Sequence, residues 1–215
     1  LKSEDVYSGA LLGCLEMIKS GTTCFADMYF HEDAVAKAVF QSGLKSVLAE
    51  GIIEVGHKML CKKLLKKSVD FARDFNGYAD GRVKTMLGPH AAYSCGSSLL
   101  EKVKERASEI GIGVHIHLAE SQEMFREFER KHNCSEVEFL DEIGLFGIHV
   151  LAAHCINLSN VDRRILSKRG VNVAYAPVAN MKLGLGVAQV KKLIDLGVNV
   201  GLATDGPASN NTIDM

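Results

Sequence analysis

The chain has 215 residues, 47% hydrophobic and 24% charged, with a formal net charge of −1. That balance excludes a disordered chain and leaves enough apolar surface for a core. There is no basic excess of the kind that marks nucleic-acid or membrane-surface binding, no apolar run as long as a membrane span, and no signal peptide at the start.

In chain order, Tyr7, Leu11, Leu15 and Ile18 recur at helical spacing until Gly21, and a β-branched and aromatic run, Thr22–Tyr29, reads as a buried strand. A helix over Asp33–Gln41 and a strand over Ser46–Gly51 repeat the pattern. A longer helix from near His57 to Phe75 follows, and its Lys-rich start (57–67) reads as the solvated face of an amphipathic helix. Strand Val83–Leu87 runs into Gly88-Pro89-His90. Helix Leu99–Ile110 carries a predicted capping box, Ser98 with Glu101, and strand Gly113–Leu118 comes next. Helices Gln122–His132 and Glu136–Ile143 follow, the second with a Ser135/Glu138 box. Strand His149–Ala153, helix Asn160–Lys168, strand Val171–Ala176, helix Val187–Leu196 and strand Val198–Ala203 complete the pattern. Strand–helix units at intervals of roughly 25–35 residues predict a parallel α/β sheet. No linker or low-complexity segment divides it, so 1–215 reads as one domain. The six scattered cysteines lack a CxxC pair and read as reduced, buried thiols of a cytoplasmic protein.

Polar residues fall at the strand ends: Asp27, Glu50, His90, His117 with Glu120, His154, Asn180 and Asp205. A site that draws on most strands of a parallel sheet favours a (β/α)₈ barrel over an open sheet, which concentrates its site at one switch point. In the segment 114–120 (VHIHLAE), strand alternation puts His115 and His117 on one face, with Glu120 in the turn above. A His ligand and a nearby Glu are the parts that bind a metal and move protons from its water; a pair of packed histidines is the competing reading. His154 and Asp205 each read equally as a packed or turn residue when taken alone. Cys155 reads as a buried thiol rather than a nucleophile. The glycines at 184 and 186 lack the spacing of a phosphate loop.

Taken together, GTTCFADMY (21–29), LGPHAAYS (87–94), HIHLAE (115–120), AAHC (152–155), APVANMKLG (176–184) and LATDGPASNNTIDM (202–215) resemble the amidohydrolase superfamily. The resemblance covers essentially the whole chain and is closest to 5′-methylthioadenosine/S-adenosylhomocysteine deaminases and chlorohydrolase-like relatives. It implies a (β/α)₈ TIM-type barrel of which this chain holds strands two to eight, without the first strand or the terminal β-sandwich. It also implies one divalent metal, zinc before iron, with His117 and Asp205 as ligands. Glu120 would be the proton shuttle, His154 the residue that orients the attacking water, and Asp205 a proton acceptor as well as a ligand. His90 and Ser209 would contact the substrate. The implied reaction is hydrolytic deamination of an adenosine-type nucleoside. Guanine deaminase or s-triazine chlorohydrolase chemistry, or a non-catalytic barrel remnant, are the alternatives. The implied partner is a nucleoside or purine-like small molecule, with no nucleic acid or membrane, and homo-oligomerisation stays open. Relatives carry a further HxH ligand pair on their first strand, and none precedes Leu1. The chain alone is therefore expected to hold metal weakly or not at all and to show no turnover. Ala174-Tyr175-Ala176-Pro177 also departs from relatives that have His or Cys before the Pro.

Overall fold

A computed structural model describes the backbone of residues 1–54 and 58–215, and the side chains of 1–54 and 61–215. Strands and helices alternate: α1 (Ser3–Ser20), β1 (Cys24–Tyr29), α2 (Glu32–Ser42), β2 (Lys45–Ile52), α3 (Lys58–Phe75), β3 (Val83–Pro89), α4 (Ser97–Ile110), β4 (Gly113–Leu118), α5 (Gln122–His132), α6 (Glu136–Glu142), β5 (Val150–His154), α7 (Asn160–Arg169), β6 (Asn172–Tyr175), α8 (Pro177–Lys182), α9 (Val190–Asp195) and β7 (Val200–Leu202). All strand pairs are parallel, and the sheet order is that of the chain, β1 to β7. Each strand therefore lies beside the next, with the helices packed outside, as the alternation predicts. No helix among the described residues is long and apolar enough to cross a membrane.

The sheet curls until its two ends approach each other. Gly13 of α1 lies close to Ile213 beyond β7: a Cβ there would stand 3.0 Å from the Cδ1 of Ile213. The Asp27 carboxyl of β1 lies within electrostatic reach of Asp205, which follows β7. The largest part of the core has Ile52, Leu87, Val114, Ile116, Leu118, Ala152 and Val173 of the strands packed against Ala72, Leu100, Val103, Leu140 and Leu166 of the helices, with a separate cluster of Val35, Val39, Leu48 and Val83 nearer β1. Among the described residues β1 and β7 each pair on one side only, and Leu202 of β7 is 66% exposed.

Several local expectations change. The Ser98/Glu101 capping box does not form: α4 starts two residues earlier, behind Gly96, whose N–H is taken by the Glu54 carboxylate at 2.8 Å. The Ser135/Glu138 box forms, and so does a second one, Ser159/Asp162, at the start of α7. The helix expected from Val187 begins only at Val190, and β3 runs on through Pro89. α8 was not expected at all; Pro177 at its first turn is the signal for it. The expected helix start near His57 lies outside the described residues. Lys62, Lys63, Lys66 and Lys67 are exposed while Leu64 and Leu65 pack on the core, so that part of the Lys-rich segment is a solvated helix face.

Candidate active site

The C-terminal ends of β3, β4 and β5 bring three imidazoles together. The His117 ring lies 4.8 Å from that of His90 and 5.5 Å from that of His154, centroid to centroid. Its β4 neighbour on the same face, His115, stacks 6.5 Å away, as strand alternation requires. His115 is 7% exposed and its Nδ1 has no hydrogen-bond partner; burial first, then His117, pushes its pKa down to about 3. Burial also lowers His117, and lowers His90 to about 4. These rings are held neutral.

The ring of His117 is oriented through the main chain. Its Nδ1 lies 2.9 Å from the carbonyl of His90, whose main chain also receives the His117 N–H. A carbonyl only accepts, so Nδ1 carries the hydrogen and the unprotonated atom of a neutral ring is Nε2. That is the state a metal ligand needs. Asp205 has its carboxylate bonded by the Ser209 hydroxyl. Ser209, expected at the substrate, is thus engaged with the residue beside it. Among the described residues no group of three or more His, Cys, Asp or Glu is arranged to hold a metal. His117 and Asp205 are two candidate donors within electrostatic reach of each other, and zinc sites take three or four protein ligands.

Glu120 and His154 form a pair. The Glu120 Oε1 is 3.6 Å from Nε2 of His154, which is 1% exposed. The other ring nitrogen, Nδ1, lies 2.9 Å from Oδ1 of Asn180 on α8. Asn180 is wholly buried and its Nδ2 has no partner in the structure. With the amide as placed, Nδ1 is the protonated atom and Nε2 turns a lone pair to Glu120. With the amide reversed, Nδ2 gains an acceptor and Nε2–H donates to Glu120. In either arrangement one proton between Glu120 and His154 satisfies both.

Four residues of this region have left-handed backbones without being glycine: Ala119 (φ 50°), His154 (φ 72°), Cys155 (φ 54°) and Asp205 (φ 62°). Such conformations cost about 1–3 kcal/mol each and persist where surrounding contacts over-determine them. Here the contacts are plain. Cys155 N–H bonds the carbonyl of Leu118 at 2.9 Å, and the N–H groups of Ile156 and Asn157 bond that of Ala119 at 3.1 and 2.9 Å. The turns after β4 and β5 are thereby tied to each other. Cys155 in the second turn is fully buried and its thiol pKa is raised by burial, which leaves it inert.

Tyr93 and Glu32 had no role in the sequence reading, and Asp27, Glu50 and Asn180 figured there only as strand-end polar residues. Tyr93 stands edge-on to His90 at 5.8 Å, is 39% exposed, and is pushed up to about 12 by burial and by Glu120. Asp27, pushed up to about 6 by burial, and Glu32, raised well above the usual range by burial and by Asp27, crowd the end of β1. Glu50 at the end of β2 is committed elsewhere, to Lys67 and to the N–H of Glu32. Asn180 had a signal in the sequence, since it follows a strand and a Pro.

Comparison with known proteins agrees with this architecture. The model of the amidohydrolase family matches residues 1–215. The chain is 51% identical over its whole length to a protein named 5′-deoxyadenosine deaminase from Methanosarcina acetivorans, covering 50% of that protein. It is 47% identical to one named 5-methylthioadenosine/S-adenosylhomocysteine deaminase from Pelotomaculum thermopropionicum, covering 49%. The chain thus spans about half the length of these relatives. Among solved structures, a Xanthomonas campestris adenosine deaminase with bound zinc superposes with a TM-score of 0.92 at 27% identity, over all of this chain and 49% of that one. On the full-length family match and this identity, the chain belongs to the amidohydrolase family.

Proposed function

We propose that the protein carrying this chain is a metal-dependent hydrolytic deaminase of adenosine-type nucleosides, releasing ammonia. The observation that carries the reading is the Glu120–His154 pair, 3.6 Å apart beside the His117 ring at the mouth of a parallel barrel. The substrate class, 5′-deoxyadenosine, methylthioadenosine or S-adenosylhomocysteine, rests on relatives at 47–51% identity that bear those names.

In the reaction, water adds to the amine-bearing ring carbon, a ring nitrogen takes a proton, and the carbon–nitrogen bond breaks to give a carbonyl and ammonia. Glu120 takes the proton from the water, delivers it to the ring nitrogen, and passes the next one to the departing amine. Its neighbour His154 holds or returns the proton between these transfers. Burial keeps competing water away from the His154 ring, while Glu120 stays partly exposed. His90, neutral and bonded through Nδ1 to the Ser94 hydroxyl at 2.8 Å, presents its remaining nitrogen to a substrate heteroatom. A divalent metal, when bound, lowers the pKa of water from about 15.7 toward about 7. His117, through Nε2, and Asp205 would be two of its donors, and further ligands would be needed to complete the site. A zinc-bound relative supports zinc. Buried thiols at Cys14, Cys95 and Cys155 support a reducing, cytoplasmic setting.

The test is ammonia release by the whole protein from a panel of adenosine-type nucleosides, guanine and a chlorinated s-triazine. Turnover of the nucleosides, lost by about 10²–10⁴-fold in Glu120→Gln with bound metal unchanged, is the expected result. Near-wild-type activity of that variant would remove Glu120 from its role. Preference for guanine or chloride release would move the enzyme to another branch of the family. No turnover and no metal in the whole protein would leave a barrel without catalysis.

A further inference from the structure

The residue before Glu120 is gripped from two sides. From below, the Glu136 carboxylate on α6 accepts the N–H of Ala119 at 2.9 Å. From the β5 side, the Asn157 amide donates to the carbonyls of Ala119, at 3.3 Å, and Glu120, at 2.9 Å. Ala119 is the left-handed residue that turns the chain from β4 toward Glu120.

The grip on the α6 side continues into the next helix. Ser135 caps α6, and its hydroxyl donates at 2.5 Å to Asp162, itself part of the box that starts α7. Asp162 and Glu136 are 0% and 2% exposed. The path runs from the first turn of α7, through Asp162 and Ser135, to Glu136 and then to the amide that precedes Glu120.

We infer that Glu136, opposed by Asn157, is a positioning residue that holds the Ala119–Glu120 turn in the one conformation from which Glu120 reaches His154. The catalytic consequence rests on the deaminase reading above; the holding of the turn does not. A buried carboxylate is an unfavourable choice for a helix that only has to pack. Glu136 faces Glu120 and Asp162, both acidic, as well as Tyr93 and Cys155, and among the described residues no cation acts on it. Burial, then those acids, drives its pKa up to about 7, against the opposing pull of the Ala119 N–H. An apolar side chain would avoid this and would leave the Ala119 N–H buried and unpaired. The acid is placed where it satisfies one donor, next to the carboxylate that moves protons.

The experiment compares Glu136→Gln with Glu136→Ala in the whole protein. Gln keeps an oxygen for the Ala119 N–H, so its kcat should stay within about threefold of wild type. Ala removes the acceptor, and kcat should fall by about 10–100-fold with KM little changed, as for a misplaced catalytic group. Hydrogen exchange of the peptide spanning 117–121 should speed up in the Ala variant and not in the Gln variant. Should the Ala variant not fold, Asn157→Ala loosens the opposite side and carries the same expectation. Unchanged exchange and kcat in Glu136→Ala, or equal damage in both Glu136 variants, would overturn the inference. If the wild-type protein releases no ammonia from any nucleoside, the deaminase reading fails by itself, and the exchange comparison still decides whether Glu136 holds the turn.

Discussion

The β4–β5 side of the barrel mouth and its β7 side carry candidate groups of similar chemistry on very different supports. His117, Glu120 and His154 rise from strands flanked on both edges, over Ile116, Leu118 and Ala152, all with no exposure. Their turns are tied to one another by main-chain bonds and to α6 by Glu136. Asp205 follows a strand of three residues paired on one edge only, with exposed neighbours. The bonds at Asp205 itself are local, the Ser209 hydroxyl to its carboxylate and the Asn210 amide to the carbonyl of Thr204 at 2.8 Å, and the one long side chain that reaches the loop among the described residues, the exposed Lys182, meets it further on at Ala208 and Asn211. The difference teaches that a strand end is positioned by what stands on both sides of the strand. His117, Glu120 and His154 are backed on both sides within this chain, and Asp205 is backed on one.

The sharpest way to break this comparison is to empty the supported side. Leu118→Ala in the whole protein should cost about 2–5 kcal/mol in chemical denaturation, because the surrounding β-sheet leaves little room to collapse. A loss below about 1 kcal/mol would mean that the β4 end is not rigidly backed.

Next comes pH. The folded Glu136 pKa, raised to about 7, lies above the usual unfolded value near 4.5. The stability linked to its protonated form is fully present below about pH 4.5 and is lost as pH rises through about 7. Glu136→Gln should therefore flatten the fall in stability between those limits, read as thermal midpoints across pH. An identical slope in wild type and variant would show that the acid is not perturbed in the folded state.

A smaller effect is expected at the helix start that carries Glu136. Ser135→Ala removes the cap and the bond to Asp162, and should cost about 1–2 kcal/mol in denaturant unfolding. No measurable loss would disconnect α7 from the Glu120 turn.

The smallest effect belongs to the other side. Leu202→Ala should change the stability of the whole protein by less than about 0.5 kcal/mol if Leu202 is as exposed there as in this chain. A loss approaching that of Leu118→Ala would erase the comparison and show that β7 gains a neighbour in the rest of the protein.

Much of this was legible in the residues, for stated reasons. Apolar strands alternating with capped helices foretell a parallel sheet, and each of the seven strands appears close to where its run lies. His117, Glu120 and His154 could be placed together because parallel strands in sequential order bring successive ends to one rim. What the pattern could not show is which polar residues lie beneath the rim. Glu136 looks like one more acidic residue in the first turn of a helix, the usual place for a carboxylate beside a helix N-terminus. Only the packing of α6 against the β4 turn gives it Ala119 as a partner. Ser98 with Glu101 has the letters of a capping box, yet Glu54, 42 residues away from Gly96, takes the N–H there instead. Local spacing fails where a distant side chain competes for the same donor.

The two unpaired edges of the sheet have a practical side. β1 offers one open row of N–H and C=O groups and β7 the other, in the same parallel sense, so the free edge of one copy matches the opposite edge of the next. Copies of this stretch expressed alone can add edge to edge without closing, aided by the exposed Leu202. Soluble handling of the isolated 215 residues calls for charges or a Pro on β1 or β7, or for the strand's neighbours to be supplied with it.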